Sequence, residues 1–364
     1  MHDILAIDMG KNKSVFCRYA SADGTHQFGS LSTSPRDFEA LLKRHPGCCV
    51  VIEISPHAGW VSDLCVALGL KLKVVNTTGE EWKWNKVKDK SDRGDSLKIA
   101  RMQAMGLHRY VHLPAPPVRR WRELIAYRDS LRKRATASKN RIRAILDRQG
   151  DRWPAGKKGW TIAAMEELAK LARPLSECVD EQMWRGMLEE ELACLKHTLE
   201  RMTQVERKLD AMADANPRVR RLTSTPGVGN RTAEIVIAML DEPRRFTNVA
   251  QVGSYTGLTP RRLQSGQMDR QVGISHAGSK LLRTMLVQSS WIGQRYNPWM
   301  KETFERICGG KKDRKKKAIV AVARQLFVRL WAMDRTGTDW KDPTRQSGSA
   351  SVKEPSPMTS VALQ

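Results

Sequence analysis

Lys88-Asp89-Lys90-Ser91-Asp92-Arg93-Gly94-Asp95 leads into a helically periodic run, Leu97, Ala100, Arg101 and Ala104. Asp92 and Asp95 stand three residues apart, which puts both carboxylates on one face of a helix's first turn. Alone, the stretch reads as a helix start, with Ser91 or Asp92 as N-cap and acidic charge near the positive end of the dipole. Two other acids change that reading. Asp8 ends the apolar run Ile4-Leu5-Ala6-Ile7-Asp8, and Glu53 ends Cys49-Val50-Val51-Ile52-Glu53. A carboxylate closing a buried strand needs a partner, because ionised groups are seldom left beside apolar strands. A divalent metal would be one.

Outward from these acids, a strand, a turn at 10–13, a second strand and the turn Asp23-Gly24 lead to a third strand, a meander. Ser34-Pro35 opens a helix over 36–44 with Phe38, Leu41 and Leu42 on one face. A strand over 48–54, a helix over 58–68 stopped by Gly69, and a strand over 72–75 follow. Three strands, helix, strand, helix, strand is the order of an RNase H-like sheet. The acids fall on its first strand, at the end of its fourth, and on a late helix.

The composition points to a polyanionic partner. The 364 residues carry a net charge of +24, an excess that suits nucleic acid first and a membrane surface second. No run of 18 apolar residues occurs, so nothing in the sequence is expected to span a bilayer. The N-terminus enters a strand directly, without a signal-peptide pattern. The seven cysteines form no C-x-x-C pair, and their odd count and scatter suit a reducing, cytosolic compartment.

Leu113-Pro114-Ala115-Pro116-Pro117 marks a boundary. Beyond it, residues 118–148 read as one long basic helix. Between Arg119 and Arg143, ten Lys or Arg, among them Arg132, Lys133, Arg134 and Lys139, stand against Glu123 and Asp129. Such a run is commonly just a solvated face, but its density favours tracking a nucleic-acid backbone. Residues 150–186 read as short helices. From Leu188 to Met212 the apolar residues recur at spacings of four and three with one break, either a coiled-coil seam between protomers or a long helix inside a bundle.

Asn216-Pro217 starts a second globular unit. Thr225-Pro226-Gly227-Val228-Gly229-Asn230 sits between two helical patterns. It resembles a helix-hairpin-helix, with Gly227 and Gly229 letting backbone N–H groups approach a phosphate; the plainer alternative is a tight turn. In Gly257-Leu258-Thr259-Pro260-Arg261-Arg262-Leu263-Gln264-Ser265-Gly266, Arg261 and Arg262 are candidate phosphate clamps. Spacing alone makes Ser265 a spectator, since no histidine lies nearby to activate it. Ser279 caps a helix over 281–294, and the run 311–317, containing Lys315 and Lys316, opens the last helix. Residues 341–364, rich in Ser, Pro, Thr and Gly, are expected to be disordered.

The ordered set Ile7-Asp8, Ile52-Glu53, Lys90 to Asp95, Pro226-Gly227-Val228-Gly229 and Gly257-Leu258-Thr259-Pro260-Arg261-Arg262 with Ser265-Gly266 resembles the DEDD transposases of insertion-sequence family 110 and its sister group. The resemblance covers about residues 3–110 and 215–335. It implies a RuvC-like domain over 1–112, a basic helix and coiled coil over 113–215, a mainly α transposase domain over 216–340, and a tail over 341–364. It also implies that Asp8, Glu53, Asp92 and Asp95 hold Mg²⁺, two ions per site, and that Ser265 is the nucleophile. The implied partners are donor and target double-stranded DNA, a structured noncoding guide RNA (the bridge RNA), and other copies of the chain in a tetramer. Each active site of such a tetramer combines the acids of one protomer with the serine of another. The implied location is the bacterial cytoplasm, at the nucleoid.

One departure is visible: the family commonly has Thr and Ala where this chain has Ser91 and Ser96. A metal-bound hydroxyl needs no histidine, which removes the objection to Ser265. The rival readings are a RuvC-like nuclease that hydrolyses and stops, as a junction resolvase does, and an RNA-binding protein with a dead RNase H fold. Retention of all four acids speaks against the second.

Overall fold

The computed structural model describes residues 3–77, 91–265 and 268–346. The chain divides into two compact units, residues 1–120 and 121–364.

Unit 1 holds β1 (Ile4–Asp8), β2 (Lys13–Tyr19), β3 (His26–Ser32), α1 (Pro35–Arg44), β4 (Cys49–Glu53), α2 (Ala58–Ala67), β5 (Lys71–Val75) and α3 (Asp92–Ala104). The sheet order is β3-β2-β1-β4-β5. The meander pairs are antiparallel, and β1–β4 and β4–β5 are parallel. The five-stranded sheet and its flanking helices bear out the α/β reading.

Period-two alternation sorts the strands into two cores. Leu5, Ile7, Val50, Ile52 and Val74 face Phe38, Leu41 and Leu42 of α1 and Val61 and Cys65 of α2. Ile4, Ala6, Val51 and Val75 join Cys17 and face Ile99 and Ala100 of α3. Each fully buried Leu, Ile or Phe contributes about 1.5–3 kcal/mol. A one-residue slip of β1 or β4 would exchange the two faces and forfeit most of that. The apolar pattern therefore fixes where the terminal acids point.

In unit 2, α4 (Pro116–Arg148, entering from unit 1), α5 (Ile162–Leu171) and α6 (Met183–Asp214) form a helical arm. Leu188, Leu192 and Leu195 of α6 pack with Ile142, Ile145 and Leu146 of α4 and Leu168 of α5. Arg128 pairs with Glu206, and Arg141 with Glu191, so the two long helices run antiparallel. The 188–195 part of the seam is thus covered by helices of its own chain.

The remaining elements are α7 (Pro217–Thr223), α8 (Asn230–Leu240), α9 (Val249–Tyr255), the hairpin β6 (Pro260–Ser265) and β7 (Met268–Ile274), α10 (Lys280–Gly293), α11 (Pro298–Cys308), α12 (Lys315–Thr336) and α13 (Pro343–Gln346). Trp121 and Ile125 of α4 and Leu209 and Ala213 of α6 share one core with Leu222, Ile235, Leu286, Leu326 and Phe327. The tail expectation needs correction at its start. Pro343 opens a short helix, where its fixed φ is tolerated at a first turn. Residues 347–364 lie outside the described residues. Among the described residues no helix is long and apolar enough to cross a membrane.

Candidate active site

Asp8 and Glu53 end neighbouring parallel strands, one step beyond the Ile7–Ile52 pair. By alternation both continue the face that α3 covers. Both are half-buried, which leaves their carboxylates reachable from solvent. Val75 pairs with Glu53, and two residues on, on the same face, the Thr77 hydroxyl donates to Glu53 Oε1. Sequence reasoning missed Thr77, although the same alternation could have found it.

Asp92 and Asp95 lie in the first turn of α3. The Ser91 hydroxyl caps that helix, accepting from Gly94 N at 3.1 Å. The plain reading of this stretch, a capped helix start, holds, and the cap builds the turn that carries the two acids. Ser96 is fully buried beneath the turn and donates to Arg93 O at 3.0 Å. A residue this small lets α3 approach the sheet, and the hydroxyl finds its bond within the helix.

The fold thus gathers the four acids as two pairs, one at the strand ends and one on α3. Among the described residues no three His, Cys, Asp or Glu side chains form a group that could hold an ion. The donor set still fits in kind, because hard divalent cations prefer carboxylate oxygens of this sort. Lys88, Asp89 and Lys90, which precede the α3 pair, lie outside the described residues.

Ser265 ends β6, with its backbone opposite Met268 in the β6–β7 pair. Arg261 and Arg262 are exposed on the same strand. Arg262 is not free: its Nε donates to Asp269 Oδ1 at 2.7 Å, and its Nη2 donates to Asp269 Oδ2. That pairing holds the Asp269 carboxyl below and the Arg262 guanidinium above their ordinary values. Thr259 and Ser275 hydroxyls meet at 3.2 Å at the hairpin's base.

Residues 5–149 match a family of DEDD transposases of the IS110 type, and residues 219–305 match the transposase family IS116/IS110/IS902. These are the two segments that hold the acids and the serine hairpin. The chain belongs to the IS110 family of transposases. It is 28% identical over 346 residues to the transposase of insertion sequence element IS1111A from Coxiella burnetii, covering 91% of this chain and 89% of the relative. It is 22% identical over 343 residues to the transposase of element IS1328 from Yersinia enterocolitica, covering 92% and 97%. A pilin gene-inverting protein of Moraxella lacunata is 28% identical over 148 residues, 39% of this chain and 45% of that one. As a transposase the protein is an enzyme that cuts and rejoins DNA.

The transposase uses its basic residues unevenly. Arg122 Nε donates to Ala238 O at 2.6 Å and Nη2 to Met239 O at 3.3 Å. Arg245 reaches Leu240 O at 3.0 Å and Met239 O at 3.1 Å, and Arg218 reaches Asp241 O at 2.8 Å. Three guanidinium groups thus satisfy the last carbonyls of α8, which have no helical partners and carry the negative end of the dipole. Burial pulls Arg122 below its ordinary value. Arg218 also holds the buried Asp334 at 2.6 Å.

On α4, Arg132 and Lys133 share the buried Asp129 at 2.9 and 2.7 Å. Lys139 and Arg143 both lie 5.0 Å from the Trp160 ring centre. Arg134 is exposed. Part of the basic run therefore makes contacts within the arm, while Arg132, Lys133, Arg134 and Arg141 stay exposed to solvent. The Asp129 pairs lie on α4 itself at spacings of three and four, but the Glu206 and Glu191 partners of Arg128 and Arg141 lie on α6, which counting charges along one helix cannot reveal.

The glycine turn packs against α10. Gly227 has φ +94°, and a Cβ there would stand 2.5 Å from Gly293 Cα of α10. Its lack of a side chain serves helix packing. Gly229 is exposed, with open space where a Cβ would be. Lys315, Lys316 and Lys317 differ from the α4 basics. They are exposed in the first turn of α12, which holds no acid and no side-chain cap bond.

Proposed function

We propose that this transposase cuts and reseals DNA through a covalent phosphoserine on Ser265, with its four acids holding two Mg²⁺ ions. One observation carries the reading. The chain has an acid-lined sheet edge and, separately, a serine closing an arginine-bearing hairpin. A hydrolytic nuclease needs only the first.

Ser265 Oγ would give up its proton and bond to the scissile phosphorus as one P–O bond to deoxyribose breaks. The departing oxygen becomes a hydroxyl on the free DNA end. Attack by a hydroxyl of another end reverses the step, restores the serine, and conserves the phosphodiester. Arg261, and Arg262 once released from Asp269, would neutralise the phosphate oxygens. Metal held by Asp8, Glu53, Asp92 and Asp95 supplies Lewis-acid polarisation of the phosphate and acidifies a hydroxyl nucleophile.

Guidance by a structured noncoding RNA encoded with the element, and assembly as a tetramer, complete the proposal. The charge of +24 supports a second polyanion beside DNA. The lysines opening α12 support it too, because cations at a helix N-terminus oppose the dipole at about 0.3–1 kcal/mol each and do nothing for the fold. Base pairing would then read sequence while the protein grips backbone and shape. The remaining finer assignments, a coiled-coil contact between protomers through α6 and a hairpin-type phosphate contact at Gly229, belong to the same reading.

The test incubates the protein with its element's flanking RNA, Mg²⁺ and DNA carrying the element junction. Wild type, Ser265→Ala and Asp8→Ala are then compared on a denaturing gel. A protein–DNA adduct absent from both variants is expected. Cleavage without an adduct, undiminished in Ser265→Ala, would establish a hydrolytic RuvC-like nuclease instead.

A further inference from the structure

From Arg270 to Lys301 the chain contains no Asp or Glu, while Arg270, Lys280, Arg283, Arg295 and Lys301 are basic. This stretch spans β7, α10 and the turn into α11. Arg283 is used locally, donating to Ala277 O at 2.6 Å and to Gly278 O at 3.2 Å. The other four are exposed.

Along α10 the exposed residues Lys280, Thr284, Gln288 and Trp291 fall at helical spacing and make one stripe. The stripe ends on large side chains left in solvent: Trp291 is 44% exposed, Ile292 53% and Tyr296 65%. Arg295, exposed, stands between them. Trp291 is not loose, since its ring packs on Phe304 with centroids 5.8 Å apart. The inner face of the same segment is fixed: Thr232 and Ser289 hydroxyls meet at 2.8 Å, and Gly293 abuts Gly227. The segment therefore presents a rigid helix with aromatic rings outward and no acid of its own, with exposed Glu302 and Glu305 on the neighbouring α11.

We propose that this face of α10 is a track for a DNA strand leaving the Ser265 hairpin, and that Trp291 and Tyr296 stack an unpaired base at its far end. The inference rests on the reading that the β6–β7 hairpin engages the cut strand. Positive charge along a segment without acids of its own fits a phosphate backbone. Flat aromatic faces gain from bases only when those are unstacked, because a closed duplex offers backbone and groove edges alone. α10 has 14 residues, about 21 Å at 1.5 Å per residue. At 3.4 Å per nucleotide of a strand, that spans roughly six nucleotides. The platform thus lies roughly six nucleotides along the track from the N-terminal end of α10, beyond whatever length the hairpin itself takes up.

The test measures binding of the full chain to two element-junction DNAs. One is fully paired, and the other carries a short unpaired stretch with 2-aminopurine in it, placed in a series at increasing distance from the cut, beginning roughly six nucleotides away. Wild type should prefer the unpaired probe and quench its fluorescence. Trp291→Ala and Tyr296→Ala should each lose roughly 5- to 150-fold in affinity for that probe, as loss of one base–aromatic stack predicts. Trp291→Phe should keep most of it. Affinity for the paired probe and its salt dependence should not change.

Equal losses on both probes, or none on either, would overturn the proposal. A selective loss on a looped RNA probe would assign the face to RNA, and an altered oligomeric state in size-exclusion chromatography would assign it to another copy of the chain; either overturns the DNA assignment. If wild type binds the paired DNA but no adduct forms on Ser265, the hairpin reading fails while the stacking result still stands or falls by itself.

Discussion

Asp8 and Glu53 close strands whose residues are buried on both faces of a five-stranded sheet. Ser265 closes one strand of a two-stranded hairpin whose described side chains are exposed from Pro260 to Gly273. The first pair has its direction fixed by two cores, whereas the described residues of the serine's hairpin are tied down by a ladder, a surface ion pair and the Thr259–Ser275 contact at its base. Ladders of two strands without a core are marginal alone. The contrast separates two demands of the chemistry. On the proposed mechanism, groups that share a metal must be held rigidly, while a group that forms and releases a covalent bond to DNA can ride on an element of low local stability.

The acid edge offers the sharpest test of its half of the contrast. Asp8→Asn is expected to slow DNA cleavage by on the order of 10³-fold, the rate equivalent of losing several kcal/mol of metal-assisted stabilisation. Single-turnover assays would measure this beside a thermal melt that should be nearly unmoved. A large drop in melting temperature would make Asp8 structural and break the comparison.

The framework that carries the hairpin should be sensitive where the hairpin is not. Gly227→Ala puts a Cβ into the α10 backbone at a positive φ, and should destabilise unit 2 by about 2–4 kcal/mol in denaturant unfolding. A shift below about 0.5 kcal/mol would mean that this turn yields easily. Arg122→Gln strips Ala238 O of its guanidinium donor, while Met239 O keeps Arg245, and should cost about 1–3 kcal/mol, with the salt dependence of DNA binding unchanged. Were that salt dependence to weaken, Arg122 would be a nucleic-acid contact after all.

Lys315→Ala and Lys316→Ala should do the reverse. Each is expected to lower the slope of log affinity against log salt by about 1 and leave stability alone; unaltered slopes would remove the α12 lysines from the interface. The smallest effect is expected from Asp269→Asn, which frees Arg262 without touching a core. It should leave the unfolding midpoint in place and raise adduct formation on Ser265 a few-fold. A fall in adduct formation would show that the ion pair positions Arg262 for the phosphate.

Regular elements of unit 1 were legible because alternating apolar residues and caps are local signals. Ile4 to Asp8, Cys49 to Glu53 and Ser91 each lie within a few residues of the feature that defines them. How the basic helix spends its charge was only partly legible: Asp129 stands three and four residues before Arg132 and Lys133 on the same helix, but Glu191, Glu206 and the α8 carbonyls come from other helices. The packing of Gly227 against α10 was not legible for a related reason: a glycine facing a phosphate and a glycine facing another helix look alike in sequence.

The sequence by itself determined the strand order's local pieces, the face on which each terminal acid lies, and the residue types suited to metal and phosphate chemistry, because periodicity and side-chain chemistry are properties of short stretches. Only the tertiary structure decided which charges remain available. Whether an arginine meets a carboxylate, a helix end or solvent depends on elements up to 117 residues away, and the strength of that competition is set by burial, which no single stretch encodes.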